Sequence, residues 1–110
     1  LVQPDLPPAE AGPGHLRAVA VGVDHFGNVQ LLAGAEHLGA TGMEVGDRVW
    51  VAVTDRRHPA TVARTFSDVG PRSMLVLLDS HGHVAIAVNG RDAARRIGAS
   101  AGDLVRMGRW

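Results

Sequence analysis

Three short polar clusters break otherwise apolar stretches, and they hold most of the chemistry this chain could do. The first is Asp24-His25-Phe26-Gly27-Asn28, the second Thr65-Phe66-Ser67-Asp68, and the third Asp79-Ser80-His81-Gly82-His83, with Asn89-Gly90 one apolar stretch later. Each joins a carboxylate to a hydroxyl, amide or imidazole, and the first two add the chain's two phenylalanines. Phenylalanine offers a stacking face, asparagine both donates and accepts, and aspartate accepts from an amine. That inventory suits a polar, aromatic small molecule. Asp, Asn, Ser and Gly are also the ordinary residues of turns, so for each cluster a turn reading stands beside the binding one.

Other chemistries find less support. His81 and His83 would share one face of a strand, as metal ligands can. Gly82 between them marks a turn, and no third ligand has informative spacing, so no metal site is expected. His15, His25, His37 and His58 are scattered and read as solvated. With no cysteine there is no disulfide, thiolate ligand or thiol nucleophile. Ser80 adjoins His81, but sequence neighbours rarely form a working nucleophile and base, and no G-x-S-x-G or phosphate loop occurs. No catalytic residue is therefore assigned in this chain. Eleven Arg, with no Lys, balance eleven Asp plus Glu. That argues against a nucleic-acid partner, and Arg91, Arg95 and Arg96 read as a solvated helical face. No apolar run approaches the roughly 18 residues of a membrane helix.

The elements that must position these clusters are mostly short strands. Leu16–Val23, Val29–Ala33, Arg48–Thr54, Ala60–Phe66, Met74–Leu78, Val84–Asn89 and Leu104–Met107 read as strands, and Ala35–Ala40 and Arg91–Ile97 as short helices, the second capped by Gly98. Met74–Leu78 is apolar throughout and so is expected to be buried on both faces. Strands recurring about every 8–12 residues with few helices predict a mainly β fold, a small antiparallel β-barrel of about seven strands with one or two short helices. Residues 1–14 hold four Pro and two Gly. They predict an extended linker outside the barrel, arriving from a missing N-terminal domain, with the barrel domain over residues 15–110. The first residue is Leu1 and the 110 residues allow one core, so the chain is read as part of a longer protein. A weak internal echo pairs Leu38–Val51 with Ile97–Met107: each ends a helical turn at a glycine and leads into a strand through Gly-Asp, at Gly46-Asp47 and Gly102-Asp103.

The ordered set V-D-H-F-G-N-V, R-T-F-S-D-V and D-S-H-G-H-V-A-I-A-V-N, followed by a helix and G-D-x-V, resembles one family. It is similar to the C-terminal domain of the S-adenosyl-L-methionine (SAM) hydroxide adenosyltransferases, or SAM hydrolases, relatives of the SAM-dependent chlorinases and fluorinases. The resemblance covers roughly Gly14 to Arg106. It implies that SAM is bound as substrate, not cofactor, between this barrel and the N-terminal domain of a neighbouring subunit in a homotrimer. It implies that Asp24 and Ser80 hold the methionine amine and that Phe26, Asn28 and Phe66 meet the adenine. The backbone of Val88, Asn89 and Gly90 would complete the adenine slot. His81 would stand near the methionine carboxylate, where halogenase relatives often carry Arg, and Leu32 departs from an Asn common in relatives. The implied reaction is attack of water or hydroxide at C5′ of SAM, giving adenosine and L-methionine in the cytoplasm. This chain alone would be inactive. Two alternatives remain open: a SAM-dependent halogenase, and a non-enzymatic β-barrel interaction module.

Overall fold

The computed structural model describes residues 6–110, in which alternation along the strands closes a sheet upon itself. In chain order the elements are β1 (Glu10–Gly12), β2 (His15–Val23), β3 (Val29–Gly34), α1 (Ala35–Thr41), β4 (Arg48–Ala52), β5 (His58–Val62), a 3-10 turn (Phe66–Asp68), β6 (Met74–Leu78), β7 (His83–Val88), α2 (Ala93–Ile97) and β8 (Leu104–Arg109). The hydrogen-bonded order is β2-β3-β7-β6-β5-β4-β8, and β8 returns to β2. Seven strands thus form the expected closed barrel, which leaves no free edge for most of its backbone. Its interior is filled by the inward residues of each strand, among them Leu16, Leu31, Val49, Val62, Val76, Ile86 and Met107.

Two differences from the sequence reading have one cause each. The pairing is antiparallel everywhere except β5 with β6, which run parallel through Thr61↔Leu75 and Val62↔Val76. The strand expected over Ala60–Phe66 ends at Val62, because the chain then leaves the barrel wall and crosses its outer face. There Ala63 and Val69 cover Leu75 and Ala87. This outer layer buries Leu75, so the expected burial on both faces holds for Met74–Val76, whereas Leu77 is half-buried and Leu78 is exposed beyond the cover; the crossing is why β6 emerges parallel to β5. The second difference is at the N-terminus. Residues 1–5 of the expected linker lie outside the described residues, whereas Glu10–Gly12 are extended but paired with β2, through Glu10↔Arg17 and Gly12↔His15. Ala9 and Ala11 pack against the core, and an apolar contact of that kind holds a proline-rich segment that has few ladder donors of its own.

The helices seal the barrel. Ala93, Ala94 and Ile97 of α2 are buried in the core beside the β2–β3 loop. Asp92 caps this helix by accepting from the Arg95 N–H at 3.0 Å, and Gly98 ends it in the left-handed region at φ +72°. The internal echo is real, and Gly46-Asp47 and Gly102-Asp103 are its matched turns. Gly42 ends α1 and matches Gly98. Gly46 and Gly102 then take φ +99° and +94°, and Asp47 and Asp103 accept from the N–H groups of Glu44 and Ser100, both at 2.9 Å. No helix among the described residues is long and apolar enough to cross a membrane.

Candidate functional site

The first and third polar clusters fold into the same loop. Asp24 Oδ1 accepts from the N–H of Phe26 at 2.9 Å and of Asn28 at 3.0 Å. Asp79 Oδ1 accepts from the N–H of His81 and of His83, both at 2.9 Å. Each loop is closed by a backbone bond from the Asp N–H to the carbonyl four residues on, and each turns on a glycine, Gly27 at φ +85° and Gly82 at φ +82°. The turn reading of these clusters is therefore correct for their aspartates. It does not exhaust them, because the loops present other side chains outward.

Around the first loop lies a cleft of about 610 Å³. Phe26, Asn28, Phe66, Val88 and Gly90 line it, together with His25, Arg91 and Asp92. Three segments far apart in the chain supply these residues, the last running from the end of β7 into α2. The β2–β3 loop brings Phe26 and Asn28, the crossing segment brings Phe66, the end of β7 brings Val88 and Gly90, and the start of α2 brings Arg91 and Asp92. Phe26 is 69% exposed and Phe66 42%, so both rings present open faces of the kind that stack on a planar partner. His25 packs on Phe26 with ring centroids 4.2 Å apart. Sequence reasoning misses it: a solvated loop histidine is the natural reading, and nothing in its spacing marks it as a wall of the cleft.

Asp24 fixes the orientation of Asn28. Its Oδ2 accepts from Asn28 Nδ2 at 3.1 Å and from Gln30 Nε2 at 3.3 Å. The bond from Nδ2 leaves Asn28 Oδ1 and one amide hydrogen for another partner. Burial pushes the Asp24 carboxyl up. The bonds from the N–H groups of Asn28 and Phe26 and from both amides outweigh it, and hold the group below its ordinary value. Asp24 is thus a carboxylate whose two oxygens each accept two bonds from its own loop and from Gln30.

Asp24 also borders a second groove of about 480 Å³, on the outer face of the barrel, which Gln30, Ser80, His81 and His83 line as well. The residues expected at the two ends of an elongated ligand therefore fall into two depressions, one lined by Asn28 and the other by Asp24, whose side chains bond to each other. Asn89 is placed differently. Its N–H donates to the Ser73 carbonyl and its own carbonyl accepts from the Arg72 N–H. Its side-chain Nδ2 donates to the carbonyls of Phe66, Val69 and Gly70 at 3.2–3.4 Å. Asn89 thus supports the Phe66 wall from behind rather than lining the cleft. Leu32 faces another depression, beside Ala9 and His37. Among the described residues no group of three or more His, Asp or Glu side chains is gathered as a metal site would require.

The comparisons with known proteins bear on these same residues. A family model described as the SAM hydroxide adenosyltransferase C-terminal domain matches residues 19–106. Two curated proteins, both named (R)-S-adenosyl-L-methionine hydrolase, are 42% identical (Salinispora tropica) and 45% identical (Salinispora arenicola) over 85 residues. The match covers 77% of this chain but only 30% of each relative. Among solved structures, an uncharacterized conserved protein from Thermotoga maritima superposes with a TM-score of 0.91 at 28% identity, over 99% of this chain and 43% of the other. A conserved hypothetical protein from Thermus thermophilus gives 0.67 at 28% identity, over 97% and 39%. The polar clusters, the barrel that carries them and the matched span agree: this chain belongs to the SAM hydroxide adenosyltransferase C-terminal domain family.

Proposed function

We propose that this domain is the substrate-holding wall of a longer, cytoplasmic SAM hydrolase that converts SAM and water into adenosine and L-methionine. One observation carries the reading: Phe26, Asn28, Phe66, Val88 and Gly90 surround a single cleft that adjoins the groove of Asp24, Ser80 and His81. Adenine lies between the phenylalanine faces, with Asn28 Oδ1 accepting from its exocyclic amine. Asn28 is held for that task by Asp24, since one amide hydrogen is already committed. The methionine end runs along the outer groove. Its ammonium meets the charge of Asp24, displacing the longer bond from Gln30, and the Ser80 hydroxyl. His81 attracts the carboxylate when protonated.

The step itself is displacement at C5′. A water oxygen bonds to the carbon, the C5′–S bond breaks with its electron pair on sulfur, and the water loses a proton to the medium. The leaving group is a neutral thioether, so placement and desolvation of the nucleophile carry much of the rate. This domain supplies no base for that step. It fixes both ends of the substrate, and the large exposure of Phe26 leaves room for a covering domain from a neighbouring subunit of a trimer. The names of the Salinispora relatives favour water over halide as nucleophile.

The test is adenosine release from SAM by the 110-residue chain, alone and joined to an N-terminal domain of the family. No turnover is expected alone, and turnover is expected when joined. Turnover by the chain alone would overturn the division of labour.

A further inference from the structure

On a different part of the barrel, three arginines from three elements face one cleft of about 340 Å³. Arg48 opens β4, Arg72 sits in the turn before β6, and Arg96 lies on α2. Thr61 and Ser73 add hydroxyls to the lining, which contains no carboxylate. Among the described residues none of the three guanidinium groups takes part in an ion pair. Three like charges around one depression repel each other unless an anion joins them.

Arg72 supplies an independent observation. Gly70–Ser73 is a β-turn, closed by the Ser73 N–H donating to the Gly70 carbonyl at 3.1 Å. Pro71 is its second residue and Arg72 its third, at φ +64°, the one residue other than glycine with positive φ among those described. With proline second, a positive φ at the third place is the type II pattern, which glycine or asparagine fills at least cost. An arginine there is strained. Its backbone is clamped from both sides. The Arg72 N–H donates to the Asn89 carbonyl at 2.9 Å, and Arg96 Nη1 donates to the Arg72 carbonyl at 2.7 Å.

We propose that the Arg48–Arg72–Arg96 cleft binds an anion carrying two linked phosphate groups, as free pyrophosphate or as the diphosphate of a larger molecule. Guanidinium forks and hydroxyls are the donors that phosphate oxygens take. A single phosphate monoester carries about −1.5 to −2 charges at neutral pH, less than three arginines supply, and a second linked phosphate adds the negative charge that is missing. The cleft also falls at the lower end of the roughly 300–1,000 Å³ range of small-molecule sites. The site is separate from the Phe26 cleft and stands whether or not that cleft holds adenosine.

The experiment titrates the 110-residue chain with pyrophosphate, inorganic phosphate and uridine diphosphate, by calorimetry and by melting temperature. Pyrophosphate is expected to bind saturably, to raise the melting temperature, and to bind more tightly than inorganic phosphate. Arg72→Gly relieves the turn, so this variant is expected to fold at least as well as the parent while its affinity for pyrophosphate falls roughly 10-fold or more. Arg48→Gln, at an exposed position, is expected to lose affinity by a similar factor. Uridine diphosphate binding as tightly as pyrophosphate assigns the site to a diphosphate on a larger molecule, and weaker binding assigns it to the free anion; either supports the site. The absence of saturable binding, equal affinity for inorganic phosphate, or unchanged pyrophosphate affinity in both variants would overturn it.

Discussion

Replacing Gly27 by alanine tests how the first polar loop is held against α2. Two costs add. Gly27 sits at φ +85°, where an L side chain costs roughly 1–2 kcal/mol. A Cβ there would also fall on Cγ and Oδ1 of Asp92 and 2.8 Å from the Asp92 Cα. The carboxylate could rotate aside only by giving up its bond to the Arg95 N–H, a helix cap worth about 1 kcal/mol. The Cα cannot rotate, so α2 must back away and stretch the bond from the Ala94 N–H to the Gly27 carbonyl, now 2.9 Å. Losing that bond costs about 0.5–1.5 kcal/mol. Together Gly27→Ala is expected to destabilise the domain by about 3–4 kcal/mol, a fall of roughly 12–16 °C in Tm for a domain of this size. Urea unfolding followed by circular dichroism measures it. Adding Asp92→Ala removes the side-chain overlap but not the Cα overlap, so the double variant should recover only about 1 kcal/mol of coupling. A loss below about 1 kcal/mol for Gly27→Ala, or full recovery in the double variant, would refute the account of how the loop is seated.

Three further outcomes are expected. Asn28→Ala should weaken adenosine binding by about 1–3 kcal/mol in titration calorimetry, with a smaller loss of stability, because Asp24 keeps its backbone donors and Gln30. Asp24, whose carboxyl is held below its ordinary value of 3.8, should contribute stability that is complete above the unfolded-state value and lost as pH falls through the lower folded-state value. The stability gap between the parent and Asp24→Asn should therefore shrink on acidification between about pH 5 and pH 2, followed by urea unfolding at each pH. Ser80→Ala, with the domain joined to its N-terminal partner, should lower kcat/KM by about 10–150-fold mainly through KM, as expected for a bond made equally to ground and transition states.

The barrel and its clusters were legible in the sequence because both rest on local pattern. Apolar runs bounded by turn residues mark β3 and β7, and Asp-x-x-Gly-x marks the two loops. What stayed hidden depends on contacts between distant residues. Asn89 bonds to carbonyls 19–23 residues earlier, and no spacing rule connects it to Phe66. The parallel pairing of β5 and β6 follows from where the chain crosses the wall, and a strand-like run from Ala60 to Phe66 gives no sign that it stops at Val62. His25 resembles any exposed loop histidine until Phe26 is placed beside it. Which glycine ends α1 was also open, since Gly39 and Gly42 both suit a helix end, and the left-handed φ of +74° at Gly42 decides between them.

The attachment made by Asn89 has a consequence for motion. Its N–H, carbonyl and side-chain amide all end on residues 66–73, so the hydrogen bonds from that stretch to the end of β7 meet at one residue, beside the Arg96 bond to the Arg72 carbonyl and the cover of Val69 over Ala87. Breaking those bonds in a local opening would release the Phe66 wall, the strained turn at Arg72 and the cover over Leu75 and Ala87 as one unit. The amides of Arg72 and Asn89 should then exchange with solvent at matched rates, faster than those in the middle of β7. Asn89→Ala should accelerate both together, and a ligand seated against Phe66 should slow both, so that admission of a ligand to this wall and the breathing of the turn become the same event.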